Sequence, residues 1–237
     1  MKRKIIKIIS LIVIILLVFE IYIYANPNKV YYVALGDFLT EGINPYGEKD
    51  YGYSDYLKDY FKSKNKLAYY KNYANSTDTT NDLIEDIKYK TEIKKDLRES
   101  DIVTLSIGIN NLLNQLGNDI DINEIPEIKE KVKEILPDIS KTLTEIRKYA
   151  MNKIIIVGYY NPVPFLFNTS TPELDSLFAY IDEEYRNLSE EYNCTYISTY
   201  QLFKSNPDYL PNPRTIYPSI DAYKEIYKLI KNICETK

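Results

Sequence analysis

From residue 29 onward, short apolar runs alternate with longer stretches in which apolar residues recur every three or four positions. The runs Val30 to Leu35, Ala68 to Tyr73, Ile102 to Ile107, Lys153 to Gly158 and Thr195 to Ser198 are too short for an ordinary helix and predict five strands. Between them, Tyr53, Tyr56, Leu57, Tyr60 and Phe61 mark one helical face, and Ile128, Val132, Ile135, Ile139, Leu143 and Ile146 mark another that Pro137 should kink. Thr171-Pro172 reads as an N-cap and first turn, followed by a stripe of Leu174, Leu177, Phe178, Ile181, Tyr185 and Leu188. A last stripe holds Tyr223, Ile226, Tyr227, Ile230 and Ile233. Strands that alternate with helices predict a parallel sheet covered on both faces, a three-layer α/β/α flavodoxin-like sandwich with five parallel strands. No repeat or low-complexity linker interrupts residues 29–237, which read as one domain.

Residues 1–28 have a different character. Met1-Lys2-Arg3-Lys4 precedes an apolar run from Ile8 to Phe19, and the segment Ile5 to Tyr24 approaches the ~20 residues that span a bilayer. The basic flank places the rest of the chain outside the cytoplasm. Ile23-Tyr24-Ala25 is a poor cleavage site, so the segment is expected to stay as a single-pass anchor in the cell membrane; the alternative is secretion after signal cleavage. No cysteine here could carry a lipid.

Composition narrows the chemistry. The formal net charge is -4 with both signs interspersed, which excludes an electrostatic footprint for nucleic acid. The chain has 25 tyrosines but no histidine and no tryptophan, so the usual general base near neutral pH is missing from every site. With Cys194 and Cys234 as the two cysteines, no zinc site is expected, nor any other metal or cofactor. Both thiols are read as free and partly buried, and the tyrosines at helical spacing as core or rim.

Ligands of such folds bind beyond the carboxyl ends of the strands. After the first strand stands Gly36-Asp37-Phe38-Leu39-Thr40-Glu41-Gly42, and after the second Asn72-Tyr73-Ala74-Asn75-Ser76-Thr77. After the third comes Gly108-Ile109-Asn110-Asn111, and ahead of the last helix Arg214-Thr215-Ile216-Tyr217-Pro218. In order and spacing these resemble the four blocks of the SGNH (GDSL-lipase) hydrolases: Gly-Asp-Ser-Leu-Thr-x-Gly, a glycine block, Gly-x-Asn-Asp, and Asp-x-x-His-Pro. The resemblance runs from about Tyr31 to Ile230 and implies the SGNH hydrolase fold and an ancestry in ester hydrolysis.

It also implies which roles are gone. In the family a serine attacks, a histidine takes its proton, an aspartate orients the imidazole, and the serine N–H, the glycine N–H and the asparagine side chain hold the oxyanion. Here Phe38 stands for the serine, Thr77 for the glycine, Tyr217 for the histidine and Arg214, or alternatively Thr215, for the aspartate; Asn110 alone keeps its family side chain. Ser76 or Thr77 as a displaced nucleophile would lack a histidine partner, and a mechanism on carboxylates alone would draw on Glu41, Asp37 or Asp78. The resulting expectation is a catalytically inactive relative that binds an envelope polymer or a membrane or envelope protein, with Asp37, Phe38, Gly108, Asn110 and Tyr217 as candidate ligand contacts; the structural alternative is that Gly36 and Asp37 shape the turn leaving the first strand, Gly108 lets backbone approach closely and Asn110 bonds neighbouring loops. An active esterase or lipase with rearranged residues is the alternative.

Overall fold

A computed structural model describes residues 12–18, 29–116, 125–162 and 171–235. All five expected strands form: β1 (Val30–Gly36), β2 (Leu67–Asn72), β3 (Ile102–Ser106), β4 (Lys153–Val157) and β5 (Thr195–Ile197). They pair in parallel in the order β2-β1-β3-β4-β5. In β1 and β3, flanked on both sides and covered on both faces, residues 32–36 and 102–106 are buried without interruption.

Among the described residues from 29 onward the α-helices are α1 (Phe38–Glu41), α2 (Tyr53–Ser63), α3 (Thr80–Tyr89), α4 (Thr91–Glu99), α5 (Ile109–Leu116), α6 (Ile125–Arg147), α7 (Pro172–Glu191), α8 (Tyr200–Lys204) and α9 (Ile220–Glu235). Helices α2 and α9 pack against each other, and α6 packs against α3, α5 and α7. The expected stripe of α6 is buried at all six positions. Helix α6 runs on through Pro137, which lies on its exposed face, where water can take the carbonyl that proline leaves without a partner. Thr171 caps α7 as expected, accepting from the Leu174 N–H at 3.3 Å.

Helices α3 and α4 were not foreseen, since charged residues outnumber the few apolar ones that face inward (Leu83, Ile87, Ile93, Leu97). The readable signal was the capping box at Thr79, whose N–H donates to Asp82 at 2.9 Å. Cys194 and Cys234 are free and half-buried, as expected. No helix among the described residues is long and apolar enough to cross a membrane. Apart from residues 12–18, which are helical and exposed, the anchor expected over 1–28 lies outside the described residues.

Candidate functional site

Beyond β1 the chain leads to β2 on one side of the sheet and beyond β3 to β4 on the other, so a crevice opens between the carboxyl ends of β1 and β3. The turn leaving β1 is fixed by backbone contact. Gly36 has φ +125°, and a Cβ there would lie 1.8 Å from the Ser106 carbonyl oxygen, so only glycine fits. Asp37 then caps α1: its Oδ1 accepts from the Leu39 N–H at 3.2 Å and from Ser106 Oγ at 2.9 Å, while Oδ2 accepts from the Tyr159 hydroxyl. The carboxyl is fully buried, and burial raises its pKa to about 7 against the lowering effect of these hydrogen bonds.

Phe38, in the first position of α1, points inward and is 2% exposed. Its ring meets the Tyr217 ring at 60° with centroids 5.2 Å apart, and lies 6.5 Å from the Tyr159 ring. An apolar cavity of about 10 Å³ remains between Phe38, Ile109, Leu113, Tyr159, Tyr160 and Ile216. That is barely the space of one water. Tyr217 is half-buried, and burial first, then the charges of Asp37 and Glu41, raise its pKa above that of a free phenol. Such a hydroxyl keeps its proton at neutral pH and cannot serve as a general base.

The neighbouring block is anchored elsewhere. The Pro45 carbonyl accepts from Asn212 Nδ2 at 2.6 Å and from Thr215 Oγ1 at 3.0 Å. Arg214 is exposed, its N–H donating to Asn212 Oδ1 at 3.0 Å. Thr215 thus serves the 43–49 loop rather than Tyr217.

The oxyanion positions are also engaged internally. The Thr77 N–H donates to Asn75 Oδ1 at 3.2 Å. Asn110 Nδ2 donates to the carbonyls of Ser76 and Asp78, both at 2.9 Å, which occupies its two hydrogens. The Ser76 N–H donates to Glu41 Oε2 at 2.6 Å, and Glu41 also pairs with Lys49 at 3.4 Å. Asn111, where the family has aspartate, accepts from the Thr80 N–H at 3.0 Å and donates to Thr80 Oγ1 at 2.8 Å, tying α5 to α3. Gly108 has φ +115°, and a Cβ there would sit 2.4 Å from the Tyr185 hydroxyl oxygen, which donates to the Ile107 carbonyl at 2.8 Å.

The residues expected to share the crevice are thus partly brought together. Phe38 and Tyr217 touch. Asp37, Phe38 and Gly108, candidate ligand contacts in the sequence, are buried beneath the surface, their side chains or backbone spent on the turn and its packing. Tyr217 and Asn110 remain partly exposed. The sequence reading missed Ser106, Tyr159 and Tyr185 as site residues; Tyr159 stands two residues after β4, a position that pointed to the site.

The chain can then be set beside known proteins. A family model described as the GDSL-like Lipase/Acylhydrolase family matches residues 34–224. The curated protein "Uncharacterized protein YpmR" of Bacillus subtilis (strain 168) is 26% identical over 212 residues, which cover 84% of this chain and 80% of that protein. Among solved structures, the lipase Lip_vut3 from a goat rumen metagenome superposes with a TM-score of 0.70 at 20% identity, covering 86% of this chain and 97% of that one. Axe2, an acetylxylan esterase from Geobacillus stearothermophilus, gives 0.62 at 19% identity over 89% and 96%. Phospholipase A1 from Streptomyces albidoflavus NA297 gives 0.64 at 14% identity over 86% and 99%. At such identities these structures share the fold.

Proposed function

The chain belongs to the GDSL-like lipase/acylhydrolase family, and from that membership we propose that it acts by binding rather than by hydrolysis. The observation that carries this reading is the buried Phe38 ring packed on Tyr217 where a family hydrolase has its serine and histidine. Phe38 has no atom that can attack a carbonyl, and no histidine exists anywhere in the chain to replace Tyr217 as base. Losing nucleophile and base together removes a triad contribution of about 10⁶ in rate. The internal engagement of Thr77 and Asn110 supports the same reading, because donors committed to the chain's own oxygens do not wait for an oxyanion.

The domain acts outside the cytoplasm, held at the cell membrane by the N-terminal segment, and its ligand is an envelope polymer or a membrane or envelope protein. The partly exposed side of the crevice, with Tyr217 and Asn110, is the contact surface.

The test is catalysis itself. The full chain, purified in mild detergent, should hydrolyse an aryl acetate no faster than a buffer blank and should take up no alkyl fluorophosphonate. Turnover together with a phosphonate adduct on a serine would overturn the proposal in favour of an esterase with rearranged residues.

A further inference from the structure

Asp37 is a carboxyl group with no exposed surface whose partners are all neutral: the Leu39 N–H and the hydroxyls of Ser106 and Tyr159. An apolar interior disfavours a carboxylate without a cation beside it. The hydroxyls continue inward, since Ser106 Oγ lies 2.7 Å from Thr40 Oγ1, which in turn meets the Tyr53 hydroxyl. Hydroxyls turn to donate or accept, so this chain of groups can take a hydrogen bond from Asp37 when it carries its proton, while the ionised form would have no cation beside it. We propose that Asp37 is a buried proton-binding switch for the crevice wall: folding brings a proton to it, and losing that proton loosens the turn that carries Phe38.

The coupling is geometric. Asp37 caps the helix that begins at Phe38, and its Oδ2 holds Tyr159, whose ring contacts both Phe38 and Tyr185. The titratable groups that face it are Glu41 on its own helix, Tyr53 on α2, Tyr159 and Tyr160 after β4, Tyr185 on α7, and Tyr217 and Tyr223 around α9. The tyrosines stay neutral throughout the range below pH 8. Burial lifts Asp37 to about 7 in the folded chain, well above an unfolded aspartate at ~4. Between these values the folded state holds a proton that the unfolded state has released. The stabilisation is therefore complete below pH ~4 and is lost as pH rises through about 7. Asp78, raised to about 6 by burial and then by Asp86 and Asp82, acts in the same direction and must be silenced to read Asp37 alone.

Equilibrium urea unfolding of the full Asp78→Asn chain, followed by near-ultraviolet circular dichroism of its tyrosines between pH 4.5 and 8, is the test. The folding constant should fall by close to tenfold per pH unit up to about pH 7 and then level off. Adding Asp37→Asn should remove one proton's worth of this slope, whereas Tyr159→Phe, which deletes a donor to the carboxylate, should move the levelling point upward. An Asp37→Asn slope equal to that of its parent overturns the proposal. Should that variant fail to fold, infrared spectra of ¹³C-aspartate-labelled Asp78→Asn protein decide: a protonated carboxyl band at pH 6 that fades above pH 7 supports the switch, and its absence at pH 6 sinks it.

Discussion

Phe38 and Tyr217, set far apart in the chain, meet edge to face at 5.2 Å where two catalytic side chains would otherwise meet. Aromatic pairs in this geometry contribute about 0.5–1.5 kcal/mol beyond the area they bury. The contact joins the first turn after β1 to the segment ahead of α9, so it fills the inner side of the crevice.

A double-mutant cycle reads that contact directly. Phe38→Ala should cost roughly 3–5 kcal/mol, as loss of a buried phenylalanine does, and Tyr217→Ala less, because that ring is only partly buried. The double variant should fall short of additivity by about 0.5–1.5 kcal/mol in chemical denaturation. Strict additivity would mean the rings are neighbours without interacting.

Rebuilding a catalytic triad tests the oxyanion positions. Phe38→Ser, Tyr217→His and Arg214→Asp together restore the family side chains, and Arg214 is the better site for the carboxylate because Thr215 donates to Pro45. No single substitution should yield turnover. The combined variant should gain further, by up to about 10²-fold in kcat for an aryl acetate, when Asn75→Ala releases the Thr77 N–H. Equal rates with and without Asn75→Ala would show that this N–H is not a limiting donor.

Membrane attachment has its own prediction. Fractionated cells should hold the full-length chain in the membrane, with the domain open to protease added outside and with Met1 or Lys2 as the first residue. Soluble protein in the medium that begins near Asn26 would instead establish signal cleavage.

The fold could be read in the sequence because its central strands are buried on both faces and so appear as nearly unbroken apolar runs; each predicted strand lies within a residue of the observed one at either end. Long helices showed themselves through wide stripes, as in α6 and α7, while α3 and α4 bury too few side chains to stand out. The pairing of Phe38 with Tyr217 followed from block order alone. What the blocks did not reveal was depth. Asp37 stands within a family motif, but its complete burial depends on Tyr159 and Ser106, which arrive from two other strands. The motif Gly108-Ile109-Asn110 suggested an asparagine that bonds neighbouring loops, but not that its amide would turn to the Ser76 and Asp78 carbonyls.

The Pro45 carbonyl, with Asn212 and Thr215 both donating to it, has a consequence in time rather than in space. During synthesis and export, Asp37, Phe38 and the loop around Pro45 emerge first, yet the partners of Pro45 in the 212–223 stretch follow about 167 residues later. A growing chain can pair β1 with β2 and β3 long before the crevice has its second wall. Until then Phe38 has no Tyr217 to cover it, so the segment ahead of α9 completes the domain by shielding an aromatic side chain that would otherwise remain open to association with other chains.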